Sequence, residues 1–345
     1  GADIIVFGEG EATMLELVIA ASSGDVDTDA LQCISGIAFK DGNKFTTNPE
    51  RTLIKDVNQL PFPARQKIDL QKYFDTWKQH HGISMVNIST MRGCPYSCKW
   101  CSRAVYGASY RRREPKLVAD EIEWLQRHYQ FDMLWFVDDV FTINHKWLRE
   151  FAEEISSRNL IIKYEIITRS DRVDDAVLEL LKGSGCFRVW IGAESGSQKI
   201  IDAMDRRVKV EQVRETIRKV KMHGMEAGTF IMLGYPGEEE SDIKETLHHL
   251  QYSEPDHYTI TVAYPIKGTP LYTEVENIFI KDLPWESSTD RDIDFKRKYK
   301  RKYYDHAIAW INNEMQLKRS GPGTNRFKLK LKSLKAKVMM RLSSF

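Results

Sequence analysis

Residues 85–101 read MVNISTMRGCPYSCKWC and decide the interpretation of the whole chain. The first six residues, 85–90, are mostly apolar or β-branched and predict a short buried strand. A loop follows at once, in which Cys94, Cys98 and Cys101 have the spacing C-x3-C-x2-C. The stretch therefore predicts a strand whose carboxyl end carries three closely spaced thiols.

The pattern of residues 85–90 recurs downstream. Similar apolar runs alternate with helical stripes that have apolar residues every three or four positions. Strands that alternate with helices predict right-handed crossovers and a parallel sheet. Six such units are fewer than the eight of a closed barrel, so we predict an α/β fold with an open, partial (β/α)6 barrel. In barrels the chemistry lies at the carboxyl ends of the strands. The five further runs are 133–138, 162–168, 187–193, 228–233 and 258–264.

Three thiolates at this spacing can hold three corners of a [4Fe–4S] cluster and leave one iron open to an outside ligand. Of the five cysteines, Cys33 and Cys186 lie far from the loop in sequence. Cys186 precedes the fourth barrel strand, so we expect it at the opposite end of the barrel. The alternatives are a structural zinc knuckle, although zinc usually takes four ligands, or three unrelated free thiols.

The cysteine loop, with an aromatic residue before its third cysteine, resembles the signature of the radical S-adenosylmethionine (SAM) superfamily. The resemblance covers residues 84–270. It implies a partial (β/α)6 barrel and a [4Fe–4S] cluster whose open iron chelates the amino and carboxylate groups of SAM. It also implies reductive cleavage of SAM to methionine and a 5′-deoxyadenosyl radical.

Charged residues follow several predicted strands. Asp138 and Asp139 can accept hydrogen bonds from an ammonium group, or can be solvated turn residues. The resemblance favours the first role, since the family contacts the SAM amino group here. Arg169 can hold a carboxylate, or can pair with a neighbouring loop acid. Glu194 suits the two hydroxyl groups of a ribose, because a carboxylate only accepts hydrogen bonds.

The resemblance adds further SAM-binding candidates. It implies a SAM contact for Glu194 and Ser195 and a basic residue at Arg206, which either reaches the SAM carboxylate or is exposed. It also implies that adenine lies against the fifth strand, where Ile231 and Gly234 are candidates, although a plain turn rich in glycine and proline explains the strand exit equally well.

Aromatic residues stand beside the cluster cysteines. Tyr96 and Trp100 either face the adenine ring or hold the loop onto the core. Both are included among the predicted cofactor-binding residues. No catalytic residue beyond the cluster ligands and SAM contacts follows from the sequence.

Three segments together resemble one branch of the family, in which a cobalamin-binding, doubly wound domain precedes the barrel. They are residues 1–18 (GADIIVFGEGEATMLELV), 60–65 (LPFPAR) and 138–141 (DDVF). The branch includes methyltransferases and an anaerobic oxidative cyclase. The cobalamin-anchoring D-x-H-x-x-G segment is absent from the sequence. We therefore expect an N-terminally truncated chain, with cobalamin in the full-length protein. The predicted segments are a remnant of that domain (1–50), a linker (51–80), the barrel (81–280) and a basic, mainly helical extension (281–345).

The net charge of +2 is the sum of an acidic N-terminal part and a basic C-terminal part of the chain. Residues 295–345 contain 15 Lys and Arg against 2 Asp and Glu, and the rest of the chain is acidic. A basic amphipathic stretch at 325–342 can lie on an anionic membrane, follow phosphates or pack one face on the barrel. No specific nucleic-acid motif is present, and no apolar run reaches the roughly 18 residues of a membrane span. We expect a cytoplasmic protein, with peripheral membrane contact as one alternative.

These observations favour a radical SAM enzyme that transfers a methyl group with cobalamin or closes a ring oxidatively on an unactivated carbon. Its partners would be an external electron donor and a small-molecule or lipid-like substrate. The alternatives are a non-catalytic zinc or iron–sulfur protein that binds RNA or an anionic surface through its basic tail, and an enzyme related to the RNA methylthiotransferases. The last ranks low, because the additional N-terminal cysteine triad of that group is missing.

Overall fold

The computed structural model describes residues 2–24, 26–280, 284, 287–321 and 325–344. The first and last residues of the predicted segments, Gly1 and Phe345, and the start of the basic extension at 281 lie outside the described residues. The strands are β1 (Ile4–Val6), β2 (Ile37–Asp41), β3 (Lys44–Thr47), β4 (Met85–Ile88), β5 (Met91–Arg92), β6 (Arg111–Arg112), β7 (Met133–Phe136), β8 (Tyr164–Thr168), β9 (Cys186–Glu194), β10 (Glu226–Leu233) and β11 (His257–Val262).

The helices fill the intervals between the strands and the C-terminal part of the chain. They are α1 (Gly10–Ser23), α2 (Thr28–Gln32), α3 (Leu70–His81), α4 (Pro115–His128), α5 (His145–Ser157), α6 (Asp175–Gly183), α7 (Gln198–Ala203), α8 (Val210–Met222), α9 (Glu240–Ser253), α10 (Pro270–Val275), α11 (Arg301–Arg319) and α12 (Arg326–Leu342). None of the helices in the described ranges combines the length and apolar composition that a bilayer-spanning segment needs.

The chain forms two compact units. The smaller consists of residues 1–61, 91–96 and 103–113, and the larger of residues 62–90, 97–102 and 114–345. In the smaller unit, β1, β2 and β3 form an antiparallel sheet. Its buried Glu9 carboxylate accepts hydrogen bonds from the backbone N–H of Ile54 and from the guanidiniums of Arg92 and Arg111.

The larger unit is built on a six-stranded parallel sheet. Its strand order is β11-β10-β9-β8-β7-β4, so that neighbours in the sheet are consecutive units along the chain. One face of each strand packs against the surrounding helices, with Ile166, Val189 and Ile217 among the fully buried residues. This arrangement confirms the predicted α/β fold and all six predicted strands.

The C-terminal helices are part of the larger unit. Six residues of α11 are buried, and they join the same hydrophobic core as the sheet and its helices. Helix α12 packs along α11 and buries only Ser333, Ala336 and Met340. Much of the basic extension therefore contributes to the core rather than extending from it as a separate tail.

Candidate functional site

The second half of the cysteine loop is held by the backbone of two neighbouring segments. The N–H of Lys99 donates to the carbonyl of Met204 (3.1 Å), and the Lys99 carbonyl accepts from the N–H of Leu271 (3.0 Å). The hydroxyl of Ser97 donates to the Asp205 carboxylate. Residues 97–101 are thus fixed between the end of α7 and the start of α10.

None of the three loop cysteines forms a disulfide within the described ranges, and Cys94 and Cys98 are buried while Cys101 is partly exposed. Cys94 belongs to the smaller unit, and the other two belong to the larger. Within the described ranges, no three cysteine, histidine or carboxylate side chains are grouped as a preformed metal site. The prediction of a metal site therefore rests on the C-x3-C-x2-C spacing and not on three side chains that already lie together.

Two buried guanidiniums lie beside Cys98. Arg169 Nη1 and Arg206 Nη1 are 3.8 and 3.7 Å from the Cys98 sulfur. Arg169 also binds Asp171, as the salt-bridge alternative predicts, and donates to the Arg206 carbonyl (2.8 Å). The two guanidiniums beside the Cys98 sulfur suit an anionic group such as an iron–sulfur cluster.

Glu194 is the last residue of β9 and lies beside Arg206. Its backbone has a φ of 64°, which turns the chain sharply at the strand end. Burial raises the pKa of Glu194, and Arg206 and Arg169 oppose that rise. Burial alone would lower the pKa of Arg206, but Glu194 and Cys98 raise it. The sequence left open whether Arg206 is exposed, and its side chain is buried.

Gly192 makes room for this arrangement. Arg206 Nη2 donates to the Gly192 carbonyl (3.0 Å). A Cβ atom at position 192 would lie 2.6 Å from Glu194 Oε1 and closer still to Arg206 Nη2. A side chain at position 192 would therefore force the end group of Arg206 or of Glu194 to shift.

The two carboxylates after β7 differ in their surroundings. Asp138 is buried and accepts hydrogen bonds from the backbone N–H of Thr90 (2.7 Å) and from its hydroxyl. Asp139 is exposed, and its pKa is raised by partial desolvation and by the like charge of Asp138. Asp138 thus joins β7 to the end of β4, while Asp139 faces solvent at the strand ends.

Several other predicted residues have structural contacts. Ser195 is buried against α9, where its hydroxyl lies 3.2 Å from that of Thr246. The side chain of Ile231 is buried in the main hydrophobic core. Trp100 packs on a second hydrophobic cluster, in agreement with its loop-holding alternative. The carbonyl of Tyr96 accepts from Arg103 within the smaller unit (3.0 Å).

The sequence reasoning missed Arg297 and Glu238, which hold Gly234 from both sides. The Gly234 N–H donates to Glu238, and its carbonyl accepts from Arg297 Nε (3.1 Å). Arg297 Nη2 also donates to the carbonyl of Ala263 and so joins the ends of β10 and β11. The sequence does show an alternation of basic and aromatic residues at 295–304. This pattern does not identify which basic side chain contacts the strand ends.

A second group that was missed lies on the other face of the sheet. Trp190 and Phe230 stack with ring centroids 5.0 Å apart. The Glu165 carboxylate accepts from the Trp190 indole N–H and from Arg188, both at 3.0 Å. Alternate residues of β8, β9 and β10 thus supply an aromatic and ionic lining on the face opposite the helix-packed core.

Residues 88–250 match the radical SAM superfamily. Among curated relatives, an uncharacterised methyltransferase of Pyrococcus horikoshii is 29% identical over 86% of this chain and 63% of its own length. The anaerobic magnesium-protoporphyrin IX monomethyl ester cyclase of Rubrivivax gelatinosus is 30% identical over 79% of this chain and 49% of its own. The chain spans 45–63% of the length of the first four such relatives.

Solved structures share the fold. A radical SAM methyltransferase, TsrM, from Kitasatospora setae, with cobalamin and a [4Fe–4S] cluster bound, has a TM-score of 0.71 at 16% identity over 99% of this chain and 76% of its own. The cobalamin-dependent SAM radical enzyme OxsB has a TM-score of 0.69 at 17% identity over 98% and 56%. Residues 88–250 of this chain therefore form a radical SAM domain.

Proposed function

We propose that this chain is the catalytic part of a radical SAM enzyme, with Cys94, Cys98 and Cys101 as ligands of a [4Fe–4S] cluster. The observation that carries the proposal is the C-x3-C-x2-C loop after β4, with the guanidiniums of Arg169 and Arg206 on Cys98. When bound, such a cluster supplies the electron that cleaves SAM into methionine and a 5′-deoxyadenosyl radical.

The chain's own residues would bind and orient SAM at the carboxyl ends of the strands. Asp139 accepts hydrogen bonds from the ammonium group, and Glu194 accepts them from the ribose hydroxyls. Arg206 offers a cation to the SAM carboxylate, while it also balances the charge on Cys98. The backbone around Gly234 contacts adenine, and two hydrogen bonds support its geometry: the Gly234 N–H donates to Glu238, and the Gly234 carbonyl accepts from Arg297.

The full-length protein would also use cobalamin, for methyl transfer or for oxidative ring closure on an unactivated carbon. Support comes from the curated relatives, which include an uncharacterised methyltransferase and an anaerobic cyclase. The substrate would be a small or lipid-like molecule, and an external donor would supply the electrons.

The test is anaerobic reconstitution with iron and sulfide, followed by SAM and a low-potential reductant. We expect absorption near ~400 nm from thiolate-bound iron and formation of 5′-deoxyadenosine. Replacement of Cys98 by alanine should abolish both, whereas Cys33→Ser, at an exposed cysteine outside the loop, should leave both unchanged. Equal iron loading in Cys98→Ala, or one zinc and no iron per chain, would refute the proposal.

A further inference from the structure

Helix α12 has two faces with different surroundings. One face packs on α11 through Ser333, Ala336 and Met340, which are spaced three and four residues apart. Lys337 lies over the ring of Trp310 in α11, with its Nζ atom 5.1 Å from the centroid. These contacts fix the rotation of α12 about its own axis, and so determine which side chains face away from the protein.

The face directed away from α11 carries an exposed apolar stripe. Its members are spaced by four, three, four and four residues, so they lie along one side of the helix. Each leaves between 46 and 72% of its surface exposed. A continuous exposed stripe of this kind indicates an interaction site rather than scattered surface residues. The members of the apolar stripe are Phe327, Leu331, Leu334, Val338 and Leu342.

Cations flank the apolar stripe on both sides. At 100° per residue, Lys330 and Arg341 lie beside one edge, and Lys328 and Lys335 lie near the other. The 17 residues of α12 include seven Lys or Arg and no Asp or Glu. Apolar side chains between two rows of cations match the boundary between the acyl chains and the headgroups of an anionic bilayer.

We propose that α12 is a membrane-docking helix that inserts its apolar stripe into an anionic lipid surface, with its lysines at the phosphate groups. A nucleic acid would satisfy the same cations, but it would leave Leu331, Leu334 and Val338 in water. Of these two partners, only the bilayer accepts both the charges and the apolar side chains. This inference stands on α12 alone and does not depend on the proposed enzymatic activity.

The experiment is co-sedimentation of the full chain with vesicles of phosphatidylglycerol and phosphatidylcholine in equal amounts, and with phosphatidylcholine alone. The test variant combines Leu331→Gln, Leu334→Gln and Val338→Gln, which keep the helix-forming tendency and the charge. The control combines Ile161→Gln and Met222→Gln, two exposed apolar residues elsewhere in the larger unit. Circular dichroism verifies that all proteins are folded.

We expect binding to the anionic vesicles only, weakened by high salt. The stripe variant should partition at least about tenfold less, and the control should bind as the unchanged chain does. Failure to bind anionic vesicles, or equal binding by the stripe variant, would overturn the proposal. The proposal would also be overturned if the chain bound RNA through the α12 lysines and did not bind vesicles.

Discussion

Two adjacent carboxylates, Asp138 and Asp139, have different surroundings, since Asp138 is buried and Asp139 is exposed. Asp138 accepts two hydrogen bonds from Thr90. Replacement by asparagine turns an NH2 group toward one of these donors and leaves a buried donor unsatisfied. We therefore expect Asp138→Asn to lower the free energy of unfolding by about 1–3 kcal/mol, as measured by urea denaturation.

The matched variant Asp139→Asn should leave the stability of the fold nearly unchanged and should weaken SAM binding. This side chain is exposed, so the free energy of unfolding should change by less than about 0.5 kcal/mol. If Asp139 binds the SAM ammonium group, the affinity of the reconstituted protein for SAM should fall by about tenfold, as measured by calorimetry. Unchanged affinity for SAM would remove Asp139 from the site.

Gly192 tests the arrangement around Glu194 and Arg206. In Gly192→Ala, the new methyl group overlaps Arg206 Nη2 and Glu194 Oε1, so one of these groups must move. We expect about a tenfold loss in SAM affinity, because a charge-assisted contact is displaced. The control is Gly183→Ala at the end of α6, where a Cβ meets nothing within 4 Å. A Gly192→Ala protein that binds SAM as well as the control would contradict this geometry.

At the scale of elements, the strands could be predicted from the sequence, whereas several side chains that cap helices or link strand ends could not. Apolar periodicity located all six parallel strands, because burial between sheet and helices imposes it. Asp174 and Asn144 cap α6 and α5, and neither cap was predicted from the sequence. Arg297 escaped prediction because one inward-turning cation among many basic residues leaves no local signal.

The turn after β10 provides a pH-dependent feature. Glu238 is fully buried, and its pKa is raised to about 8. Burial is the main cause and nearby Asp242 adds to the rise, while the Gly234 N–H, Lys199 and Arg297 oppose it. The folded state thus holds this proton more tightly than the unfolded state does. The stabilising contribution is complete below the ordinary pKa of 4.5 and is lost as the pH rises to about 8.

Glu238→Gln should remove this dependence. The glutamine oxygen can still accept from the Gly234 N–H, but the side chain no longer titrates. We expect a plot of unfolding free energy against pH to fall less steeply between pH 4.5 and 8 for the variant than for the unchanged chain. Parallel curves from urea denaturation across this range would show that Glu238 titrates normally.

In the larger unit as a whole, basic residues of the C-terminal region form salt bridges with acidic residues at the ends of α9. Lys298, Lys318 and Arg341 from the C-terminal region pair with Glu239, Glu254 and Glu240 at the two ends of this helix. Such exposed pairs contribute at most about 1 kcal/mol each. They favour one orientation of the C-terminal helices, while burial of α11 supplies the stability.

This distinction predicts unequal effects of two truncations. Removal of residues 295–345 takes away six buried side chains of α11. At about 1.5–3 kcal/mol each, their loss is comparable to the ~5–15 kcal/mol stability of a whole domain, so this protein should lack a cooperative thermal transition. Removal of residues 325–345 takes away only three buried side chains. The transition should then persist, with Tm lowered by roughly 5–10 °C. Equal Tm values for both truncated proteins in scanning calorimetry would show that α11 is not part of the core.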